Sequence, residues 1–354
     1  MNIVITGTGS HIPGIIVPNS NFNNHCFYDR NGAVLPDAVG TIIEKFRQIT
    51  GIEERRYAKP TENLSDIAAS AAKRALADAK LDAEEMDLII MAHNFGNVAS
   101  DSDQVDLLPS IAARVKHILG ISNPNCVAFD IVCGCPGWLQ AMMVARHYIL
   151  SSEAKRVLVI GGDTLSRLID SHDRDSMIFA DGAAAAVVEG FSNLGGKGII
   201  SVCSQTYSES EVFYLHFGES NKKQGAGTRY IKMDGKKIYE FALRYVPVAM
   251  KTCLDRSGVD IGRLKMIFLH QANEKMDEAI LRRFYKLFHA GQPPSSIMPM
   301  NINKLGNTSV ASVPMLLDQV LKNGCPGYQL EQGDVIMMAS VGAGMNINAI
   351  TYSV

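Results

Sequence analysis

Strand-length apolar runs alternate with helix-length amphipathic runs along almost the whole chain, which confines it to α/β architectures. The pattern predicts strands at 3–7, 87–92, 126–129, 157–160 and 183–188, with helices at 41–49, 65–80, 107–119 and 137–150 between them. Alternation of this kind argues for a mostly parallel sheet covered on both faces. After Ser192-Asn193-Leu194-Gly195-Gly196 the rhythm starts again. Strands are expected at 198–204, 266–269, 334–340 and 346–352, and helices at 236–257, 274–288 and 309–321. The long helix 236–257 carries an apolar stripe of Ile238, Phe241, Ala242, Tyr245, Val248, Ala249 and Cys253. The chain thus divides into two βα halves, 1–195 and 196–354, alike in pattern though not in residues. Residues 20–40 and 94–106 are polar and irregular, and are expected to run over the surface.

At 354 residues the chain is long for one compact core and suits two domains or one duplicated one. A formal net charge of −2 predicts no general affinity for nucleic acid or for membranes, and no apolar run is long enough to span a bilayer. The N-terminus enters a strand pattern directly, without a basic start or a cleavage site, so a cytoplasmic protein is expected. Seven cysteines without framework spacing are expected to be free thiols.

Three short segments at strand ends or in turns concentrate the chemistry, where a sheet-based enzyme keeps its site. The first is Cys133-Gly134-Cys135-Pro136-Gly137-Trp138, between a strand and a helix. A cysteine at a helix N-terminus feels the positive end of the helix dipole, which favours thiolate and makes Cys135 a candidate nucleophile. The plainer alternative is a small buried hydrophobe. The second segment is His270-Gln271-Ala272-Asn273, and the third Gly306-Asn307-Thr308-Ser309. Taken singly, His270 reads equally as a structural histidine and Asn307 as a helix cap. The order Cys, His, Asn also fits a papain-like cysteine hydrolase, but that family's local signature around the cysteine is absent. A metal site lacks a second cluster of ligand spacing, and no cofactor is expected. Gly161-Gly162 and Gly342-Ala343-Gly344 match neither a dinucleotide nor a P-loop fingerprint.

Together the segments resemble the thiolase-fold condensing enzymes, most closely the β-ketoacyl-ACP synthase III family. The resemblance extends to Gly7-Thr8-Gly9-Ser10, Thr50-Gly51-Ile52-Glu53-Glu54-Arg55-Arg56, Ala128-Phe129-Asp130, Asp181-Gly182-Ala183 and Tyr230-Ile231-Lys232-Met233. It implies two similar halves in a layered α-β-α-β-α arrangement, a homodimer, and acyl-CoA or acyl carrier protein as partners. It also implies that Cys135 takes an acyl group from a thioester, and that His270 and Asn307 stabilise the enolate formed when a malonyl thioester loses CO2. Backbone N–H groups of Cys135 and Ala343 would form the second oxyanion hole, and Leu108 and Val341 would bound the acyl pocket, Leu108 from across the dimer. The family usually has glycine at the place of Ala343 and an aromatic residue at that of Val341.

Related branches of the fold fit less well, because the last Gly-rich loop has no second cysteine, Asn307 stands where elongating synthases have a second histidine, and no catalytic Glu motif is found. Two other readings stay open: an acyltransferase acting on an amine or hydroxyl, and a partner subunit of a condensing heterodimer in a secondary-metabolite pathway. Lys275, Arg282, Arg283 and Lys286 recur at helical spacing and are expected to dock the acidic carrier protein, against the alternative of a solvated face. Lys45 and Ile49 fall where the family grips the adenine of CoA, and Lys236 replaces an asparagine beside the pantetheine arm. A missing aromatic surface there predicts a longer acyl chain, or carrier-borne acyl, as primer in preference to acetyl-CoA.

Overall fold

Whether a strand is buried on one face or two is decided by which alternate residues find partners. In Leu88–His93, Leu88, Ile90 and Ala92 join one core while Ile89 and Met91 join another. The computed structural model describes residues 1–223 and 227–354, and the same two-sided burial recurs through both halves. We number the strands of the two main sheets β1 (Asn2–His11), β2 (Leu88–His93), β3 (Val127–Val132), β4 (Arg156–Thr164), β5 (Asp181–Phe191), β6 (Gly198–Thr206), β7 (Leu264–Leu269), β8 (Val335–Gly342) and β9 (Asn346–Ser353). The main helices are α1 (Val39–Thr50), α2 (Leu64–Ala79), α3 (Ile111–Leu119), α4 (Gly137–Leu150), α5 (Gly235–Ser257), α6 (Glu274–Lys286) and α7 (Ser312–Leu321).

The first sheet has the order β1-β5-β4-β2-β3 and the second β6-β9-β8-β7. One core lies between them, built on α4 and α7 with Leu88, Ile90, Val157 and Val159 from one sheet and Met266, Phe268, Ile336 and Met338 from the other. A second core packs α2 and α3 on the far face of the first sheet, and a third packs α5 and α6 on the far face of the second. Five layers, α-β-α-β-α, follow directly. In β1 the glycines of Gly7-Thr8-Gly9 matter because a Cβ at Gly9 would collide with the backbone of Ala-rich α2 at Ala71 and Ala75.

The sheets are mixed, not mostly parallel. β2 pairs in parallel with β3 and β4, and β7 with β8, whereas β5 runs antiparallel to β1 and β4, and β9 antiparallel to β6 and β8. A short connection accounts for one antiparallel pair, since β8 and β9 are separated only by Ala343–Met345. α3 starts at Ile111, later than the expected 107, because Pro109 disfavours helical backbone at Leu108. The start is capped by Ser110 and by Asp130 of β3, whose carboxylate accepts from Ile111 N–H and Ala112 N–H at 2.7 Å each. Along α5, Val248 is exposed and Val246, Pro247, Met250 and Leu254 are buried, so its apolar face is offset from the predicted stripe. The irregular 94–106 stretch carries a small hairpin, with Asn97–Val98 paired to Val105–Asp106. Gly161, Gly162 and Asp163 lie inside β4.

A buried carboxylate joins the halves. Asp318 of α7 accepts hydrogen bonds from Thr8 Oγ1 at 2.7 Å and Ser10 Oγ at 2.5 Å in β1, and pairs with Lys322 at 2.7 Å. Removing it leaves two buried hydroxyls without their acceptor. Asp318→Ala should therefore lower the unfolding free energy by about 3 kcal/mol, read from urea midpoints at pH 7.

Candidate active site

Parallel strands β3 and β7 both end at the edge of the sheets where the chemistry gathers. Beyond β3 the chain makes a left-handed step at Gly134 (φ 54°), passes Cys135, and enters α4 through Pro136. Asn348 of β9 donates from Nδ2 to Pro136 O at 3.1 Å, fixing that entry from the other half. The loop after β8 lies against the same turn. A Cβ on Gly342 would come within 2.7 Å of Cys135 N and 3.0 Å of its Cβ, and one on Gly134 within 2.9 Å of Ala343 N. Cys135 and Ala343, the two residues expected to supply backbone N–H donors, are thus brought side by side.

Burial pushes the Cys135 thiol up to about 12. Desolvation favours the thiol and the helix terminus the thiolate, and the residue itself is half-buried. Among the described residues the one side-chain hydrogen-bond partner of its sulfur is Ser309, whose Oγ donates to Sγ at 3.4 Å. Neighbouring Cys133 is half-buried, and burial raises its thiol as well.

His270 follows β7 and donates its backbone N–H to Ala339 O of β8 at 2.9 Å. Its side chain is buried, Nδ1 has no hydrogen-bond partner among the described residues, and burial alone pushes its pKa down to about 4. At neutral pH the ring is uncharged, with its buried Nδ1 unpartnered.

Asn307 is clamped from the first half: its N–H donates to Ile178 O, and its carbonyl accepts from Ala180 N–H, both at 2.9 Å. Its Oδ1 accepts from Ser309 N–H at 2.8 Å, which fixes the side-chain amide. Gly306 before it has φ 66°, and a Cβ there would lie 2.8 Å from Arg55 Cβ. Arg55 is wholly buried, bonded to Val17 O at 3.1 Å and Asn19 Oδ1 at 2.7 Å, so the Thr50–Arg56 segment forms the floor under the Asn307 turn.

Gln271 links two of the three segments. Its backbone N–H donates to Ser312 Oγ, and its Oε1 accepts from the N–H groups of Asn301 and Ile302, all at 2.9 Å. The turn carrying Asn307 is thereby tied to the strand end carrying His270. Sequence reading passed over Gln271 and Ser309 although both stand inside its motifs. It also missed Asn94 and Asp163, 69 residues apart in the chain, whose hydrogen bonds of 2.8 and 2.7 Å only the fold creates.

A cavity of 690 Å³ opens between the 20–40 excursion, α1 and the start of α5, and reaches Asn273, three residues beyond His270. Lys45, Ile49 and Lys236 line it, as does Tyr28 from the excursion, with Phe46 and Tyr239. Aromatic surface is therefore present at the mouth, contrary to expectation, because the long loop folds back over it. Its four cations each have a carboxylate nearby: Arg30 with Asp234 (3.6 Å), Lys45 with Asp37 (2.7 Å), Arg174 with Asp175 (3.8 Å) and Lys236 with Glu240 (3.9 Å).

Neither predicted acyl-pocket residue lines this cavity. Leu108 is 88% exposed in the single chain, and Val341 is buried in the core against α5 and α6. On α6, Lys275 and Lys286 are exposed, Arg282 pairs with Glu278 at 3.3 Å, and Arg283 donates to Leu243 O at 3.1 Å. The cluster of Arg282, Arg283 and Lys286 borders a surface hollow with His289, and begins about 13 Å along the helix from Asn273. Only Lys275 lies at the end nearest the site.

A strand-to-helix cysteine, a neutral buried histidine and a clamped asparagine, set between two layered halves, define a condensing enzyme of the thiolase fold. The 3-oxoacyl-[acyl-carrier-protein] synthase III profile matches residues 129–208, and the C-terminal profile of the same enzymes matches 254–354. The chain is 33% identical over 357 aligned positions to the β-ketoacyl-[acyl-carrier-protein] synthase III of Porphyra purpurea, covering 99% of this chain and 98% of that protein. It is 34% identical to that of Caldanaerobacter subterraneus, covering 96% and 94%. The structure of 3-oxoacyl-[acyl-carrier-protein] synthase III from Aquifex aeolicus superposes with a TM-score of 0.81 at 29% identity, over 99% of this chain and 100% of that one. The priming β-ketosynthase of the R1128 polyketide pathway also gives 0.81, at 26% identity, over 100% and 96%. The chain belongs to the β-ketoacyl-ACP synthase III family. The papain-like reading falls with that assignment.

His270 supplies a pH test. Above about pH 6.5 the ring is neutral in both the folded and the unfolded chain. Between 6.5 and about 4 the unfolded chain binds a proton that the folded one refuses, so acidification erodes stability across that window. The His270 ring should titrate near 4 by NMR, and His270→Gln should lose less stability than the parent between pH 6.5 and 4.

Proposed function

We propose that this protein catalyses the decarboxylative Claisen condensation of an acyl thioester with malonyl-ACP, through an acyl group carried on Cys135. The observation that carries the reading is the convergence of Cys135, Ser309 and Asn307 in one hydrogen-bonded chain, with Gln271, next to His270, tied to the same turn. In the first step the Cys135 sulfur attacks the acyl carbonyl and the donor leaves as a thiol. In the second, malonyl thioester loses CO2, and the electron pair moves into an enolate whose oxygen is held by His270 and Asn307. The enolate carbon then attacks the acyl-Cys135 carbonyl, whose oxygen meets the N–H groups of Cys135 and Ala343, and the sulfur is released. A neutral imidazole suits this work, because it donates without acting as a strong acid that would quench the carbanion by protonation.

The donor is a longer acyl chain or one delivered on a carrier protein. CoA brings several phosphates to the mouth, where every cation already has a carboxylate within reach. Lys275, Arg282, Arg283 and Lys286 form the face offered to the acidic carrier. The protein acts in the cytoplasm as a homodimer. Supporting the dimer, β3 is an edge strand with no neighbour on its outer side among the described residues, and Val127, Val132, Leu107 and Leu108 lie exposed around it. A second copy seated there would cover Leu108 and let it bound the partner's acyl pocket.

Intact-mass measurement after mixing with acyl-CoA or acyl-ACP, then with malonyl-ACP, tests the reaction. Acylation should map to Cys135, be lost in Cys135→Ala and persist in Cys133→Ala, and acyl-ACP should load faster than the same acyl-CoA at micromolar concentration. Asn307→Ala should keep loading and slow condensation by ~10²–10³. An adduct on Cys133 contradicts the assignment. Leu108→Ala should lengthen the chains accepted while sedimentation still shows a dimer; an unchanged chain profile would remove Leu108 from the pocket.

A further inference from the structure

Ser309 sits at φ 51°, in left-handed backbone that a serine rarely adopts, directly between the other groups of the site. Its N–H orients the Asn307 amide, and its hydroxyl meets the Cys135 sulfur at 3.4 Å. That hydroxyl is itself held. Asn94 Nδ2 donates to Ser309 Oγ at 2.9 Å, occupying one oxygen lone pair, and the single Ser309 hydrogen is drawn between two acceptors, the Cys135 sulfur at 3.4 Å and the Asp163 carboxylate. Asn94 in turn cannot flip its amide. Asp163, buried at the end of β4, accepts from Asn94 N–H at 2.8 Å and from Nδ2 at 2.7 Å, and a flipped amide would set two oxygens face to face.

We propose that Ser309 is a further catalytic residue, whose hydroxyl donates a hydrogen bond to the Cys135 sulfur and stabilises it as it becomes anionic, and that Asn94 and Asp163 are positioning residues that aim this hydroxyl. The inference rests on Cys135 being the nucleophile. Its need is visible in the site. Burial holds the thiol far above neutral pH, and Asp163 and Cys133, the charged or titratable groups near it, both oppose ionisation. Ser309 acts in the opposite direction, together with the backbone N–H of Cys135 itself. His93 faces Asp163 and favours its charged form, against the burial that raises Asp163 to about 6. Among the described residues no hydrogen bond joins His270 to the thiol, and the Ser309 hydroxyl is the side chain seen to favour the thiolate.

The residues are spread over four places in the chain, the strand-end loop after β2, the Cys135 turn, β4 and the Asn307 turn. Three of them do nothing else that requires their chemistry. Asn94 does not cap a helix, Asp163 has no cationic partner within salt-bridge distance among the described residues, and Ser309 opens a short 3-10 turn whose cap is Thr308. A buried carboxylate bonded only to neutral donors is costly unless it fixes something. Here it fixes the direction of a single O–H.

The test uses the full-length protein and reads the thiol without turnover. Iodoacetamide alkylation of Cys135 between about pH 7 and 9, followed by mass spectrometry of the Cys135 peptide, reads the small thiolate fraction as a rate, and the ratio of rates between variants gives the shift of the midpoint. Ser309→Ala should move that midpoint up by about one unit, making alkylation about tenfold slower at a fixed pH below it. Ser309→Gly should give the same shift, since it removes the same hydroxyl and suits the left-handed backbone, which separates the effect from any folding defect of the alanine variant. Asn94→Leu keeps the hydroxyl but frees it to turn away, and should move the midpoint in the same direction by less. Combined with Ser309→Ala it should add nothing, because the two act as one unit. Acyl loading should slow in step with alkylation in each variant. An unmoved midpoint in folded Ser309→Gly overturns the proposal, and so does an Asn94→Leu shift that adds in full to that of Ser309→Ala. Failure of Cys135 to accept any acyl group would instead overturn the reaction itself, and the two outcomes are distinct.

Discussion

Everything at the site depends on two glycine-bearing loops pressed together without side chains between them. Gly342 ends β8 against Cys135, and Gly134 turns the chain beneath Ala343. A Cβ at either position would wedge the loops apart, and with them the two halves that each contribute part of the chemistry. The first half gives the sulfur and the start of α4; the second gives His270, Asn307 and the loop after β8. Contact of this kind is enforced by absence, which is why glycine and not some small side chain is required at both places.

Polar links then hold the halves in register. Asp318 reaches back to Thr8 and Ser10, Asn348 to Pro136, and the Asn307 turn pairs with Phe179 as a single parallel bridge. Each is buried, so each is strong only while its partner stays in place. Gln271 does the same work within the second half, tying the His270 strand end to the turn before Asn307. The catalytic groups are therefore set by rigid elements of sheet and helix, with loops supplying only the last few residues.

The layered α/β class was legible because each central strand carries apolar residues on both faces, a pattern that needs helices above and below. Helix α4 appeared in the sequence at its observed bounds, since Pro136-Gly137 and the polar Ser151-Ser152 punctuate it. Strand direction was not legible. The run that became β9 reads the same whether it returns antiparallel after a tight turn or parallel after a helix, and only the short Ala343–Met345 link decides. Cys135, His270 and Asn307 stand out in the sequence as candidates because each sits in a motif, whereas Asn94 and Asp163 carry no local signal and meet only through packing. At Cys135 the helix N-terminus is visible in sequence, but the desolvation that opposes its effect on the thiol is not.

That burial shapes the chemistry more than any single donor. A site that leaves the Cys135 thiol protonated and the His270 ring neutral carries no net charge of its own at rest on either group. In the proposed reaction charge arises first on sulfur and then on the enolate oxygen, and the Ser309 hydroxyl faces the first of these. Preorganised dipoles facing a transient anion in a dry site need no reorganisation when the charge arrives. Ser309 touches both candidate groups, its hydroxyl meeting the Cys135 sulfur and its backbone N–H holding the Asn307 amide. A change at this one left-handed residue therefore reaches the nucleophile and the amide together, which ties the geometry of the two steps in the proposed reaction.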